Sequence, residues 1–175
     1  MSARLVDSDI TKLVVVPGGV ADVNKPTVTE FNEGLDITCA VVAGYTLGMT
    51  DSNTIEGRSV CDKGNTTDYG SANYEGNLQF FLEADEDETE ETSAYKRAEE
   101  FFTTRGIQFD IIRRIGKAHD VEGSADDKVE VFGFTTDYPQ YTSGAEGDSY
   151  ATFTQPLGQQ SRFSEGKVAL VAGTP

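Results

Sequence analysis

Ile107-Gln108-Phe109-Asp110-Ile111-Ile112-Arg113-Arg114-Ile115 is the stretch on which the fold turns. Gly106 and Gly116 bound it, and Ile107, Phe109, Ile111 and Ile115 fall on one side of an extended chain. That period of two marks a strand with a buried face. After a turn region over 116–125, Val129, Val131, Phe132 and Phe134 continue in a second strand running to about Asp137. Upstream, Leu78, Phe80 and Leu82 alternate with Gln79 and Glu83 in a third. The linker between the third strand and the first carries a helical pattern over about 89–105. Tyr95, Ala98, Phe101 and Phe102 form its apolar stripe, Thr89 its cap, and Gly106 its stop.

The remaining elements are β as well. Leu13-Val14-Val15-Val16 is a β-branched run stopped by Pro17-Gly18-Gly19, and 35–42 reads as a strand with Leu35, Ile37, Cys39 and Val41 on one face. Between them, Pro26-Thr27-Val28-Thr29-Glu30-Phe31 fits one or two helical turns closed by Gly34. Strands at 150–155 and 167–172 follow a Gly-rich loop over 139–148. No internal repeat of fixed period is present. This order predicts one domain over 1–175, mainly β (α+β): a two-sheet β-sandwich or open barrel with one flanking α-helix at about 89–105. Residues 1–11 are polar and read as an N-terminal arm ordered against a partner.

Residues 43–76 break the pattern. Glycines 44, 48, 57, 64, 70 and 76 are spread through polar residues, with one strand pattern at 54–60. A loop or hairpin of this length is functional or disordered in most compact domains. The interleaved Tyr45, Met49, Ile55, Val60 and Tyr69 mark it as a projecting arm packing on another chain.

Acid dominates the composition: 30 Asp+Glu against 14 Lys+Arg give a formal net charge of -16 in 175 residues. Such a surface repels phosphate backbones and anionic lipids, so neither specific DNA binding nor membrane binding is expected. The sharpest cluster contains Asp85, Glu86, Asp87, Glu88, Glu90 and Glu91. It reads as an acidic surface or lumen patch at a helix N-terminus, where negative charge suits the macrodipole. An EF-hand loop opened at Asp85 fails, because its sixth place holds Glu90 rather than Gly.

Catalysis has little to draw on. His119 is the single histidine and sits in a Gly/Asp-rich turn; it reads as a solvated loop residue. No nucleophile elbow, phosphate-binding loop or zinc-protease motif occurs. Cys39 and Cys61 lack a C-x-x-C spacing and read as reduced thiols of a chain made in a cytoplasm, there being no apolar signal segment after Met1. The residues therefore point to a structural subunit with no catalytic residues, cofactor or metal. The alternative they leave open is an acidic, calcium-dependent β-sandwich binding module.

The order of elements resembles a known family. Pro26-Thr27-Val28-Thr29-Glu30-Phe31 leading into Gly34-Leu35-Asp36-Ile37-Thr38-Cys39, the Gly76-Asn77-Leu78-Gln79-Phe80 strand, the Tyr95 helix, Arg113-Arg114-Ile115-Gly116 and the strand over 129–136 resemble siphophage tail tube (major tail) proteins across about 12–172. The resemblance implies a non-enzymatic virion protein, assembled in the host cytoplasm. It further implies homohexameric rings stacked into a tail tube for DNA ejection, each sending an arm to the adjacent ring. Tape-measure and tail-terminator proteins are its implied partners, and DNA passes through without specific binding.

Overall fold

A computed structural model describes residues 9–83, 93–142 and 149–173. In chain order they form β1 (Thr11–Pro17), α1 (Val28–Glu33), β2 (Leu35–Asp36), β3 (Thr46–Thr50), β4 (Thr54–Gly57), β5 (Thr66–Tyr69), β6 (Asn73–Phe81), α2 (Ala94–Phe102), β7 (Gln108–Ile115), β8 (Lys128–Thr136), β9 (Gln140–Thr142), β10 (Thr152–Phe163) and β11 (Val168–Ala169). All strand pairs are antiparallel. One large sheet runs β2-β1-β7-β8-β10-β6-β3, with β11 beside β8 and β9 beside β10; β4 and β5 form a small second sheet. The mainly β fold with a flanking helix is as the sequence implies, but the large sheet does not close into a barrel.

β7 lies between β1 and β8, and both of its faces are buried. Phe109 and Ile111 point into one cluster with Leu13, Val15, Phe132 and Phe134, while Ile112 joins Val14, Val129, Val131, Phe31 and Leu170 on the other side. The adjacent pair Ile111-Ile112 fills both sides at once, while Asp110 and Arg114 are buried on the same side as Ile112. Each such fully buried aromatic or branched side chain contributes about 1.5–3 kcal/mol of transfer free energy.

β10 makes the sheet fold over on itself. Its first half, 152–156, pairs with β6 on one edge and β9 on the other; its second half pairs with β8 from Leu157 onward. Pro156, which has no N–H to give to a ladder, stands at the changeover. Inner faces of both halves then share one core, with Leu78, Phe80 and Phe153 from one and Phe109 and Phe134 from the other. Gly76 permits the close approach: a Cβ there would lie 2.8 Å from Phe134 and 2.9 Å from Leu157.

Several local expectations change. The helix predicted over 89–105 is Ala94–Phe102, capped by Ser93, whose Oγ accepts from Tyr95 N; the cap expected at Thr89 lies outside the described residues. It ends well before Gly106, where Thr103 Oγ1 donates back to the Glu99 and Glu100 carbonyls. Ala98 and Phe102 are buried and Phe101 partly so, whereas Tyr95 is 37% accessible and lies edge-on to Phe81 outside their cluster. The strand expected over 35–42 is broken: after Leu35–Asp36, Asp36 Oδ1 accepts from Thr38 N and starts a 3-10 turn over Thr38–Ala40. Ile37 is buried there and Cys39 exposed, so the two do not share a face. The strand expected at 150–155 runs on to Phe163, that at 167–172 shrinks to Val168–Ala169, and the loop at 139–148 opens with β9. α1 follows the sequence closely, with Thr27 and Glu30 forming a reciprocal capping box and Gly34 ending the helix.

Candidate assembly surface

The arm predicted at 43–76 divides into a root and a projection. Thr46–Thr50 and Asn73 onward are paired strands of the main sheet, so part of the expected loop is body rather than arm. Beyond them the pairing continues in one register: Thr50 faces Asn73 and Thr54 faces Tyr69. The ribbon is held through its break by Asn53 N to Ser71 O (3.0 Å), Gly70 N to Asn53 O (2.6 Å) and the Asn73 side-chain amide on Asp51 O (3.1 Å). From Thr50 to Gly57 it extends about 23 Å at ~3.3 Å per residue. At its end Ser59 and Asp62 exchange bonds, with Asp62 N donating to Ser59 O and Ser59 N to Asp62 Oδ2.

Every residue of β4 and β5 is exposed. Ile55 is 60%, Tyr69 80% and Val60 101% accessible, so three of the five arm residues named from the sequence project into solvent. Met49 lies on the root strand at 48%, and Tyr45 packs half-buried against the main core. An isolated two-stranded hairpin is at best marginally stable in water, so this one takes its order from the root and from whatever covers it.

Buried hydrogen bonds rather than apolar burial alone fix the root. Tyr74 is buried within β6, and its hydroxyl donates to Gly133 O (2.5 Å) and accepts from Gln160 N (2.8 Å) and Arg162 N (3.3 Å). These amides belong to the irregular part of β10, where Ser161 takes φ 55° and pairing with β8 slips between Gln159 and Phe163. Burial, the largest influence, pushes the Tyr74 phenol up and keeps it a donor. On β7, Arg113 donates to Leu47 O of β3 and, at 3.0 and 2.7 Å, to Glu130 Oε2, while lying over the Phe132 ring. The root is therefore tied to the two central strands.

Two charges on the opposite face of β7 organise the loops. Asp110 is buried against Arg162 Nη2 (2.8 Å) and Val20 N (2.8 Å); the hydrogen bond from Arg162 and the carboxylate charge raise the guanidinium pKa further. Arg114 is buried over Phe31 and donates to Ala118, Val121 and Glu122 carbonyls and to Asp127 Oδ2 (3.3 Å). Neither role was visible in the sequence beyond the oddity of charges inside an apolar strand.

A groove of about 380 Å³ opens where β1 begins, lined by Leu13, Val41, Ala43, Tyr45, Cys39 and Thr38, with Asp9 and His119 at its side. His119 differs from the solvated loop residue expected: Nδ1 lies against Asp9 Oδ1 and its backbone N donates to Asp9 O, which pins the turn to the start of β1. A second recess of about 430 Å³ lies among Phe81, Leu82, Glu83, Tyr95 and Tyr150. Asp85, Glu86, Asp87, Glu88, Glu90 and Glu91 lie outside the described residues. Among the described residues no three His, Cys, Asp or Glu side chains converge to hold a metal ion, and no helix is long and apolar enough to cross a membrane.

Among the described residues, the exposed hairpin and the groove are surfaces open to contact. No curated protein matches the sequence. A chain of the anti-feeding prophage baseplate, solved by cryo-EM with 6-fold symmetrisation, shares the fold at TM-score 0.54 and 12% identity, covering 93% of this chain and 97% of that one. A family model described as "Phage tail tube protein" matches residues 1–172. The chain belongs to the phage tail tube protein family.

Proposed function

We propose that six copies of this chain close into a ring, that rings stack into a tail tube, and that the tube conducts DNA during ejection. As a member of its family the chain is a structural component of a phage tail. The observation that carries the finer reading is the hairpin over 54–69, which ends a ribbon reaching about 23 Å from Thr50 to Gly57 and has every strand residue exposed. Such a ribbon gains its stability by lying on a neighbour. The six-fold symmetry of the baseplate whose chain shares this fold favours six copies.

Size and charge suit the role. A domain of 175 residues has a radius of gyration of about 16 Å, too small to enclose a duplex alone. Four strands from each of six copies would make a barrel of roughly 24 strands; at ~4.8 Å spacing and a tilt near 40° its backbone diameter is about 45–50 Å. A ring would carry about 96 formal negative charges, six times the chain's 16. An acidic lumen does not retain DNA, because nothing displaces the counterions from its phosphates. The acidic run over 85–91 is a candidate for that wall. Tape-measure and tail-terminator proteins are the proposed neighbours at the ends, with assembly in the host cytoplasm, and the role is architectural rather than catalytic.

Electron microscopy of the purified protein tests this. Six-fold rings or tubes are expected. Particles that stay monomeric under all conditions, and are missing from virions, would refute it.

A further inference from the structure

We propose that the groove at the start of β1 is the receptor for the hairpin tip of a second copy, with Val60 seated between Leu13, Val41 and Tyr45. The inference rests on the reading above and names the pair of surfaces that joins one ring to the next. Three observations converge on it. Val60 is fully exposed at 101%, at the end of a ribbon whose strands β4 and β5 bury no residue against the described parts of the chain, so an apolar residue stands where a partner can bury it. The groove is predominantly apolar and, at about 380 Å³, holds the side chains of a tight turn rather than a strand or a helix. The charges also match. In a chain of net charge -16, the tip over 58–65 carries two cations, Arg58 and Lys63, against one anion, Asp62. Asp62 is itself engaged by Ser59 N, and the groove has at its side the Asp9 carboxylate, which stays exposed although its Oδ1 lies against His119 Nδ1. A basic tip entering an acidic body is favoured in encounter and in register.

The chain's own thiols report the contact. Cys61 adjoins Val60, and Cys39 lines the groove; both are free and exposed. Docking brings the Cys61 of one copy beside the Cys39 of the next, so a short bismaleimide, which adds one thiolate at each end, links them. Because every chain carries one thiol of each kind, the products on a denaturing gel form a ladder that extends past the dimer. Cys39→Ser and Cys61→Ser each abolish the ladder. Cys39 in the unassembled chain reacts readily with a small maleimide and loses that reactivity in tubes. Val60→Asp, which removes no contact within the chain, leaves the monomer's melting temperature unchanged and gives rings that do not stack.

Tubes that form normally but yield no crosslink, or a crosslink that stops at the dimer and survives Cys39→Ser, overturn the inference while leaving the ring reading intact. So does a Cys39 already protected in the unassembled chain and released on deletion of residues 1–8, which would make the chain's own N-terminal segment the occupant. Val60→Asp chains that stack like wild type overturn it too. If no rings form under any condition, the reading beneath fails first.

Discussion

Tyr74→Phe isolates what holds the ribbon's root. Phenylalanine keeps the ring and with it the edge-on contact to Phe134 (5.3 Å between centroids) and the tilted contacts to Phe132 and Phe163. Only the hydroxyl goes, together with its three bonds to Gly133 O, Gln160 N and Arg162 N. A hydrogen bond contributes about 1 kcal/mol net, and a buried backbone group left without a partner costs about 1–3 kcal/mol. The long bond to Arg162 counts for least, and the space left by one oxygen is too small to admit a well-bonded water. The expected loss is therefore about 2–4 kcal/mol, or a fall in melting temperature of roughly 5–15 °C for a domain of this size. Urea denaturation of the unassembled chain, followed by far-ultraviolet circular dichroism, gives the number. The m-value should stay constant, since the surface exposed on unfolding does not change. A loss below about 0.5 kcal/mol would show that β10 satisfies its irregular amides another way, and the account of the root would be wrong.

Three further outcomes follow from named contacts. Burial pulls the Asp127 carboxyl up, but Lys117 and the Ser124 amide and hydroxyl outweigh it and hold it below its ordinary value of 3.8; Glu30 is lowered by the same balance, with Ala21 and Thr27 as donors. Stability from both is complete above their unfolded values and drains as pH falls through them, so the urea midpoint should drop steeply below about pH 4.5, and Asp127→Asn should flatten that limb. Gly76→Val should cost about 1–3 kcal/mol by driving Phe134 and Leu157 apart; an unchanged denaturation midpoint would mean the two halves of the sheet are not closely apposed there. In a gel-shift assay at low salt the assembled protein should leave double-stranded DNA unretarded, whereas a stable complex would contradict an acidic conduit.

The sequence disclosed what local periodicity can encode. Phe109 stands between Gln108 and Asp110 and shares its face with Ile111, and Thr27 with Glu30 is a cap readable from spacing alone. It concealed what depends on pairing across long separations. Nothing local to Pro156 says that β10 changes partners there, because that depends on which strands reach its two edges. The run at 35–42 alternates like a strand, yet Asp36 competes for the backbone at Thr38 and wins. Glycine spacing over 43–76 signalled a departure from the core but not its division, since Thr46–Thr50 is strand only by virtue of β6. Of the five arm residues proposed, those that project share one property: they are apolar side chains with no apolar neighbour in sequence to make a core face. Tyr45 lacks it, for Val41 lies four residues before it and both pack against the main core.

The same topology explains why a projection of this length can be built at all. A hairpin that emerged from a loop would hinge, because a two-stranded ribbon resists bending weakly. This one is the continuation of β3 and β6 without loss of register, and its root is bonded to β7 through Arg113 and to β8 and β10 through Tyr74. Direction is thus set by the buried Tyr74 and the largely buried Arg113, while the tip is exposed. Substitutions at the root and at the tip should therefore separate: Tyr74→Phe lowers the stability of the single chain and misaims an intact tip, whereas Val60→Asp leaves the chain stable and well aimed with nothing to seat. A tip substitution that destabilised the unassembled chain would mean that the ribbon folds back on its own body, and the separation would collapse.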